Sequence, residues 1–336
     1  MIHTVLGPIE ADDLGVTSMH EHLLADARVL HAAAREPVPA SGRVEIENLG
    51  FLHWNLLALE DNLVLDDAEL AAAELERAAA LGQRAVVDLT VWGLGARPRD
   101  LPAIARASGL HVIAGCGAYL DRPHPPEVAG AGEDELAERF AAALEHEIEP
   151  GSGVRAGLLG LIGTSEPVTD SEQRVLRAAG AAAGRAGAAV TVRLDPSARR
   201  GEWVLEQLAA AGCPPAQVIF GNVDEFADRE YLGALARAGA TLEWCFGNEA
   251  YYRDGYKDPT DAERLDAICA VLEDGFADRC VLGCSVWTKT QLRAYGGMGY
   301  DHVLGRIVPV LRSRGVPGDV VDAMLVHNPR RLLDRP

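Results

Sequence analysis

Two histidines spaced two apart, His20 and His22 in the run Ser18-Met19-His20-Glu21-His22, are the side chains of this sequence best suited to chemistry. On an extended strand residues i and i+2 project to the same side, so both imidazoles would stand together at the end of the strand that carries them. Neutral imidazole is a metal ligand, and near neutral pH it also serves as a general acid or base. The plainer reading is a pair of packed or surface histidines, and spacing alone does not choose. The six cysteines, Cys116, Cys213, Cys245, Cys269, Cys280 and Cys284, form no CxxC pair, so neither a zinc ribbon nor a disulfide framework is indicated. Neither a GxGxxG nor a P-loop pattern follows the first strand, which removes the common nucleotide-binding readings.

The elements that must position these residues alternate strand with helix from end to end, as a parallel sheet with crossover helices requires. Eight strands are expected: Val16 to His20, Arg84 to Thr90, Leu110 to Cys116, Arg155 to Ile162, Ala188 to Leu194, Gln217 to Gly221, Thr241 to Cys245 and Arg279 to Ser285. Several are unbroken apolar runs, the pattern of strands buried on both faces. Eight such units close most economically into an α/β fold of the (β/α)8 TIM-barrel type, here spanning residues 1–336 as one domain. Ile2 to Leu14, with Gly7-Pro8 in its middle, reads as a β-hairpin covering the barrel floor. Asp66 and Asp67 open a helix that runs to Leu81 and stops at Gly82, and Asp170 with Gln173 resembles a capping box. Arg28 to Leu65 is a long connection in which Phe51, Trp54, Leu56 and Leu57 suggest packing against the barrel.

Composition narrows the function. Lys and Arg total 31 against 50 Asp and Glu, a formal charge of -19, which disfavours nucleic acid or an anionic membrane as partner. No charged segment with an apolar core precedes the first strand, and the apolar runs are too short to span a bilayer. A cytoplasmic protein acting on a small molecule is expected.

The run Gly15-Val16-Thr17-Ser18-Met19-His20-Glu21-His22-Leu23 closely resembles the first strand of the phosphotriesterase family of the amidohydrolase superfamily. Val87-Asp88-Leu89-Thr90, Gly115-Cys116-Gly117-Ala118-Tyr119, Ile162-Gly163-Thr164-Ser165-Glu166, Tyr252-Arg253-Asp254-Gly255-Tyr256-Lys257, Gly296-Gly297-Met298-Gly299-Tyr300 and Asn328-Pro329-Arg330-Arg331-Leu332-Leu333 resemble its later segments in order. The resemblance implies a TIM barrel and a pair of divalent metals held by the strand-one histidines, a bridging carboxylate, two single histidines and an aspartate. Four of those six positions depart from the pattern. Leu161 stands at the bridge, Arg193 and Asn222 at the single histidines, and Ser285 at the aspartate. A leucine offers no ligand atom and an arginine cation repels a metal, so a binuclear centre is not expected.

What the resemblance leaves is a metal-free polar mouth of His20, His22, Arg193, Asn222 and Ser285 as the catalytic set. Arg193 is expected either to hold an anionic substrate or to pair with Asp195, Glu243 or Glu166. Tyr119, Glu243, Tyr252 and Trp287 are expected at the substrate, with Tyr251 and Tyr300 as further aromatic wall. Asp88, Thr90 and Glu243 are also candidates to orient a histidine, and Lys289 and Arg293 candidates for an anion site. Cys116, Cys245 and Cys284 are candidates for a rebuilt soft-metal site. The leading expectation is a metal-independent acid/base enzyme performing hydrolysis, elimination or cyclisation on a small anionic or amide- or lactone-like molecule. Its rivals are a metal-dependent hydrolase of esters, lactones or phosphotriesters, with one divalent ion (Zn) on His20 and His22, and a non-catalytic binding protein. The resemblance is also compatible with a homodimer.

Overall fold

The computed structural model describes residues 1–122, 124–252 and 256–335; Arg253, Asp254 and Gly255 of the motif quoted above lie outside them. Eight parallel strands form one sheet in chain order: β1 (Thr17–Glu21), β2 (Ala85–Asp88), β3 (His111–Cys116), β4 (Ala156–Gly163), β5 (Val190–Arg193), β6 (Val218–Gly221), β7 (Thr241–Cys245) and β8 (Cys280–Gly283). Beyond β8 the chain closes on β1, where the Ser285 N–H donates to the His20 carbonyl at 2.8 Å and the His22 N–H to Val286 O at 3.0 Å. The expected TIM barrel is confirmed, each strand lying within two residues of its expected start.

Side-chain alternation separates two cores. Ala85, Val87, Ile113, Leu158, Ala189, Ile219 and Val281 fill the barrel interior with Met19. Val86, Val112, Val190, Val192, Phe220, Leu242 and Leu282 face outward into the helical layer. A register shift between Ser18 and Glu21 interrupts this alternation in β1, so Met19 sits in the interior while His20 and His22 reach the mouth above it.

The helices start where side chains cap them. Asp67 accepts from the Leu70 N–H at the head of Ala68–Ala80, and Asp228 from Tyr231 at the head of Arg229–Arg237. The capping box of Asp170–Ala186 is Thr169 with Glu172, one residue earlier than the expected Asp170 and Gln173, because threonine supplies the hydroxyl acceptor and glutamate the returning carboxylate. The hairpin pairs Ile2–Thr4 with Gly7–Ile9 and turns at Val5-Leu6 rather than Gly7-Pro8. It lies on the floor, bonded through Val5 N–H to Val112 O at 2.9 Å, with Leu332 and Leu333 of the last helix packed beside Ile2. In the long connection Leu52, Leu56 and Leu57 are buried, but Trp54 is 51% exposed and stacks on Tyr251 at 4.3 Å. Among the described residues no helix is long and apolar enough to cross a membrane.

Candidate active site

The carboxyl ends of the strands surround a cavity of about 210 Å3. His20, His22, Arg193, Asn222 and Ser285 all line it, as do Tyr119, Tyr252, Trp287 and Leu161. Strand ends of a closed barrel share one mouth, which is why residues far apart in sequence meet there. Leu30, Leu57 and Leu94 add an apolar wall.

The hydrogen bonds fix which nitrogens carry protons. His20 Nδ1 lies 3.0 Å from Glu243 Oε2, and a carboxylate only accepts, so Nδ1 is the protonated nitrogen. His22 Nδ1 lies 3.1 Å from Thr90 Oγ1, whose hydroxyl donates to Asp88 Oδ1 at 2.6 Å; the Thr90 oxygen therefore accepts from His22. Both Nε2 atoms then face each other across 3.3 Å with their lone pairs converging. That geometry requires one shared proton or a cation between them. Burial, the largest single influence, opposes charge on His20, but the charge and hydrogen bond of Glu243 together with the Glu21 carboxylate hold the pKa above the ordinary imidazole value. His22, equally buried and beside His20, is pushed well below it. One proton on His20 Nε2, donated to His22 Nε2, satisfies both rings.

Ser285 Oγ lies 3.5 Å from His20 Nε2. Ser285 and Asn222 hold φ of 48° and 54°, a region that side chains other than glycine occupy at a cost. Glu21 explains how the first is maintained, since its buried carboxylate accepts the N–H groups of Cys284 and Val286, each at 3.0 Å. Burial pushes the Glu21 carboxyl up to about 7. Glu243 needs room of its own: a Cβ on Gly221 would stand 2.8 Å from its Oε2.

Several expectations are corrected. Glu243 does not reach the substrate space; it is fully buried and bonded to His20 from behind. Arg193 pairs with none of the three carboxylates expected of it. Its Nη2 donates to both oxygens of Glu225, at 2.7 and 2.6 Å, while Glu166 bonds Arg200 and Asp195 bonds Ser197. Tyr300 is buried, donating to the His22 carbonyl at 2.9 Å, and Tyr251 stacks on Trp54, so neither forms the cavity wall. Lys289 and Arg293 are taken by Asp61 and Asp301. Of the three cysteines, Cys116 packs in the outer core and Cys284 Sγ turns to Tyr300 O, whereas Cys245 Sγ lies 3.1 Å from Glu243 Oε1.

The polar end of the cavity holds Asp224, Glu225, Asn248, Asp258 and Arg264, none of which the sequence reading singled out. Arg264 donates to Asp224 at 2.8 Å. Asp258 accepts from Asn248 at 2.5 Å and from the Tyr252 hydroxyl at 3.1 Å. Burial and the nearby Glu225 charge push its carboxyl up to about 7. The one available signal was the acidic pair Asp224-Glu225 directly after Asn222 at the end of β6. Asp258, ahead of Pro259 and the cap Thr260, reads only as a turn residue.

These residues do not fit a pair of metal ions. Leu161 faces the cavity at the bridging position, and Arg193 brings a cation where a second ion's ligand would stand. His20, Glu243 and Cys245 have donor atoms within 4.8 Å of one another. Their contacts are internal hydrogen bonds, and burial raises the Cys245 thiol well above its ordinary value, away from the thiolate that binds metal.

A closed parallel barrel with relay-held histidines in a cavity at its strand ends is the plan of a barrel enzyme whose reaction centre lies at the carboxyl face. Over residues 1–333 the sequence matches the profile of the phosphotriesterase family, and the chain belongs to that family. N-acetyltaurine hydrolase of Danio rerio is 32% identical over 346 residues, spanning 99% of this chain and 97% of the relative. A resiniferatoxin-binding protein from Rhodobacter sphaeroides superposes with a TM-score of 0.95 at 34% identity, covering 99% of this chain and 94% of that one. A phosphotriesterase homology protein from Escherichia coli gives 0.78 at 26% identity, covering 96% and 100%.

Proposed function

We propose that this protein is a hydrolase of small amides or lactones that works by acid/base catalysis from the His20–His22 pair, without the metal pair its fold was built around. The observation that carries the reading is the Nε2–Nε2 contact backed by Glu243 on one side and by Thr90 and Asp88 on the other. Deprotonated, the pair removes a proton as the carbonyl is attacked; protonated, it returns that proton to the departing nitrogen or oxygen. Tyr119, whose pKa burial raises, remains a phenol able to donate to the substrate, while the Tyr252 hydroxyl is held by Asp258. Because Glu225 neutralises Arg193, the pocket favours a neutral or singly charged substrate with an apolar acyl part against Leu30, Leu57, Leu94 and Leu161. The curated relative named for hydrolysis of N-acetyltaurine, an acyl amide, supports this class.

A second reading places one divalent ion on His20 and His22, and the two converging lone pairs favour it, since tetrahedral zinc with bonds of about 2.0–2.1 Å sets neighbouring nitrogens about 3.3 Å apart. It leaves the ion with two imidazoles where catalytic sites supply three protein ligands.

The test is hydrolysis of a panel of N-acyl amides and lactones by chelator-treated protein and by H20Q. Activity in the treated protein, lowered ~10^2- to 10^4-fold in H20Q, is the expected result. Full activity in H20Q would contradict the proposal.

A further inference from the structure

We propose that Ser285 is the nucleophile of this site: Ser285, His20 and Glu243 form a serine–histidine–carboxylate triad, and hydrolysis passes through an ester on Ser285 Oγ. The inference rests on the metal-free reading above, because an ion on His20 Nε2 would occupy the lone pair the serine requires.

Three observations carry it. The first is the order of contacts. Ser285 Oγ stands 3.5 Å from His20 Nε2, and His20 Nδ1 stands 3.0 Å from Glu243, so one ring joins a hydroxyl to a carboxylate through its two nitrogens. Once the proton shared with His22 has left, His20 Nε2 is free to accept, and this is the arrangement by which a base removes a hydroxyl proton while a carboxylate fixes its tautomer; the first link is commonly loose before substrate tightens it. Among the described residues Ser285 Oγ has no other hydrogen-bond partner.

The second is the backbone. Ser285 follows β8 with φ of 48°, and its neighbourhood is tied from every side. Cys284 and Val286 donate to Glu21, Ser285 N–H donates to the His20 carbonyl at 2.8 Å, and the Ser285 carbonyl accepts from Gln291 Nε2 at 3.2 Å. A conformation glycine would adopt freely is thus imposed on a serine, which sets its hydroxyl in the mouth. Such over-determined strain marks residues placed for chemistry.

The third is the supply of donors for the oxyanion. The Asn222 side chain faces the same cavity and bonds none of the described residues, and the Arg193 guanidinium stands in the same wall.

The chemistry balances without a further reagent. Ser285 Oγ bonds to the acyl carbon as its proton passes to His20 Nε2. The bond to the leaving nitrogen or oxygen breaks, and that atom takes the proton from His20. Water then attacks the Ser285 ester and gives a proton to His20; the Oγ–carbon bond breaks and His20 returns the proton to Ser285.

The experiment treats chelator-stripped protein with p-nitrophenyl acetate and, separately, with a fluorophosphonate, and maps adducts by peptide mass spectrometry. S285A and S285G accompany it, each checked for native circular dichroism; S285G relieves the backbone strain, so it remains folded if S285A does not. The expected result is an adduct on the Ser285 peptide, and steady-state hydrolysis lowered ~10^3-fold or more in both variants. Hydrolysis by S285G within tenfold of the native rate, or the lack of both adducts on Ser285, overturns the proposal and leaves the acid/base reading standing. Stripped protein that hydrolyses nothing until zinc is restored overturns both.

Discussion

Each imidazole in the mouth has its Nδ1 proton fixed by an acceptor behind it, which leaves the two Nε2 atoms facing each other, and on the proposed reading they share one proton. The sign of the pH dependence follows. The base must be deprotonated to act, and His20 holds its proton to a higher pH than an ordinary imidazole because Glu243 and Glu21 together overcome the effect of burial. We predict that kcat/KM rises with pH through an apparent pKa above ~6.5. A rate falling over about pH 6 to 9 would contradict this assignment. Arg193 and Glu225 are the other coupled pair, with Arg193 about one-fifth exposed. Removing the cation in R193A leaves Glu225 as a buried unpaired carboxylate, so we expect a loss of roughly 2 kcal/mol or more, short of the ~3–5 of a fully enclosed pair. The double variant R193M/E225Q should recover much of it in urea unfolding, and simply additive losses would argue against the pair. His20 and His22 were legible from their spacing on a strand, and Arg193, Asn222 and Ser285 from the family resemblance, which implied a shared site at those positions. Glu225 and Asp258 were not, because they sit in connections whose course no periodicity dictates.

Two glycines determine how the strands hold these residues. A Cβ on Gly283 would lie 2.9 Å from the His20 backbone nitrogen, so β8 can approach β1 only where position 283 has no side chain. A Cβ on Gly221 would press on the end of the Glu243 side chain, at 2.8 Å, and make only ordinary contact with Thr191 and Leu161. We therefore predict opposite emphases. G283A should lower stability by roughly 1–3 kcal/mol, as overpacking against backbone does, and G221A should cost less stability but displace Glu243 and depress kcat. Unfolding midpoints measured beside kcat decide it, and a more stable G283A would contradict the closure described here. Strands buried on both faces were readable as apolar runs to within two residues at their starts. The break in register within β1 was not, because a bulge leaves no mark in hydrophobic pattern. The capping box displaced to Thr169 and Glu172 shows the same limit: several polar residues in one turn compete for the cap, and the winner depends on the incoming chain.

At the scale of the whole molecule, the hairpin and the last helix cover the floor of the barrel, and the open end is the one where His20, His22, Arg193, Asn222 and Ser285 gather. A chain carrying a formal charge of -19 sets the guanidiniums of Arg193 and Arg264 against carboxylates inside that end. The family match spans residues 1–333, and the leucine, arginine, asparagine and serine that stand at the implied metal positions occupy one shared mouth. On the proposed function this mouth catalyses without a metal pair. That reading is tested most directly by elemental analysis of native protein purified without chelator, with hydrolysis assayed on the same sample before and after stripping. Well under one divalent ion per chain and unchanged hydrolysis on stripping are expected; two ions per chain, with activity that leaves and returns with them, would show that a metal pair does the catalysis.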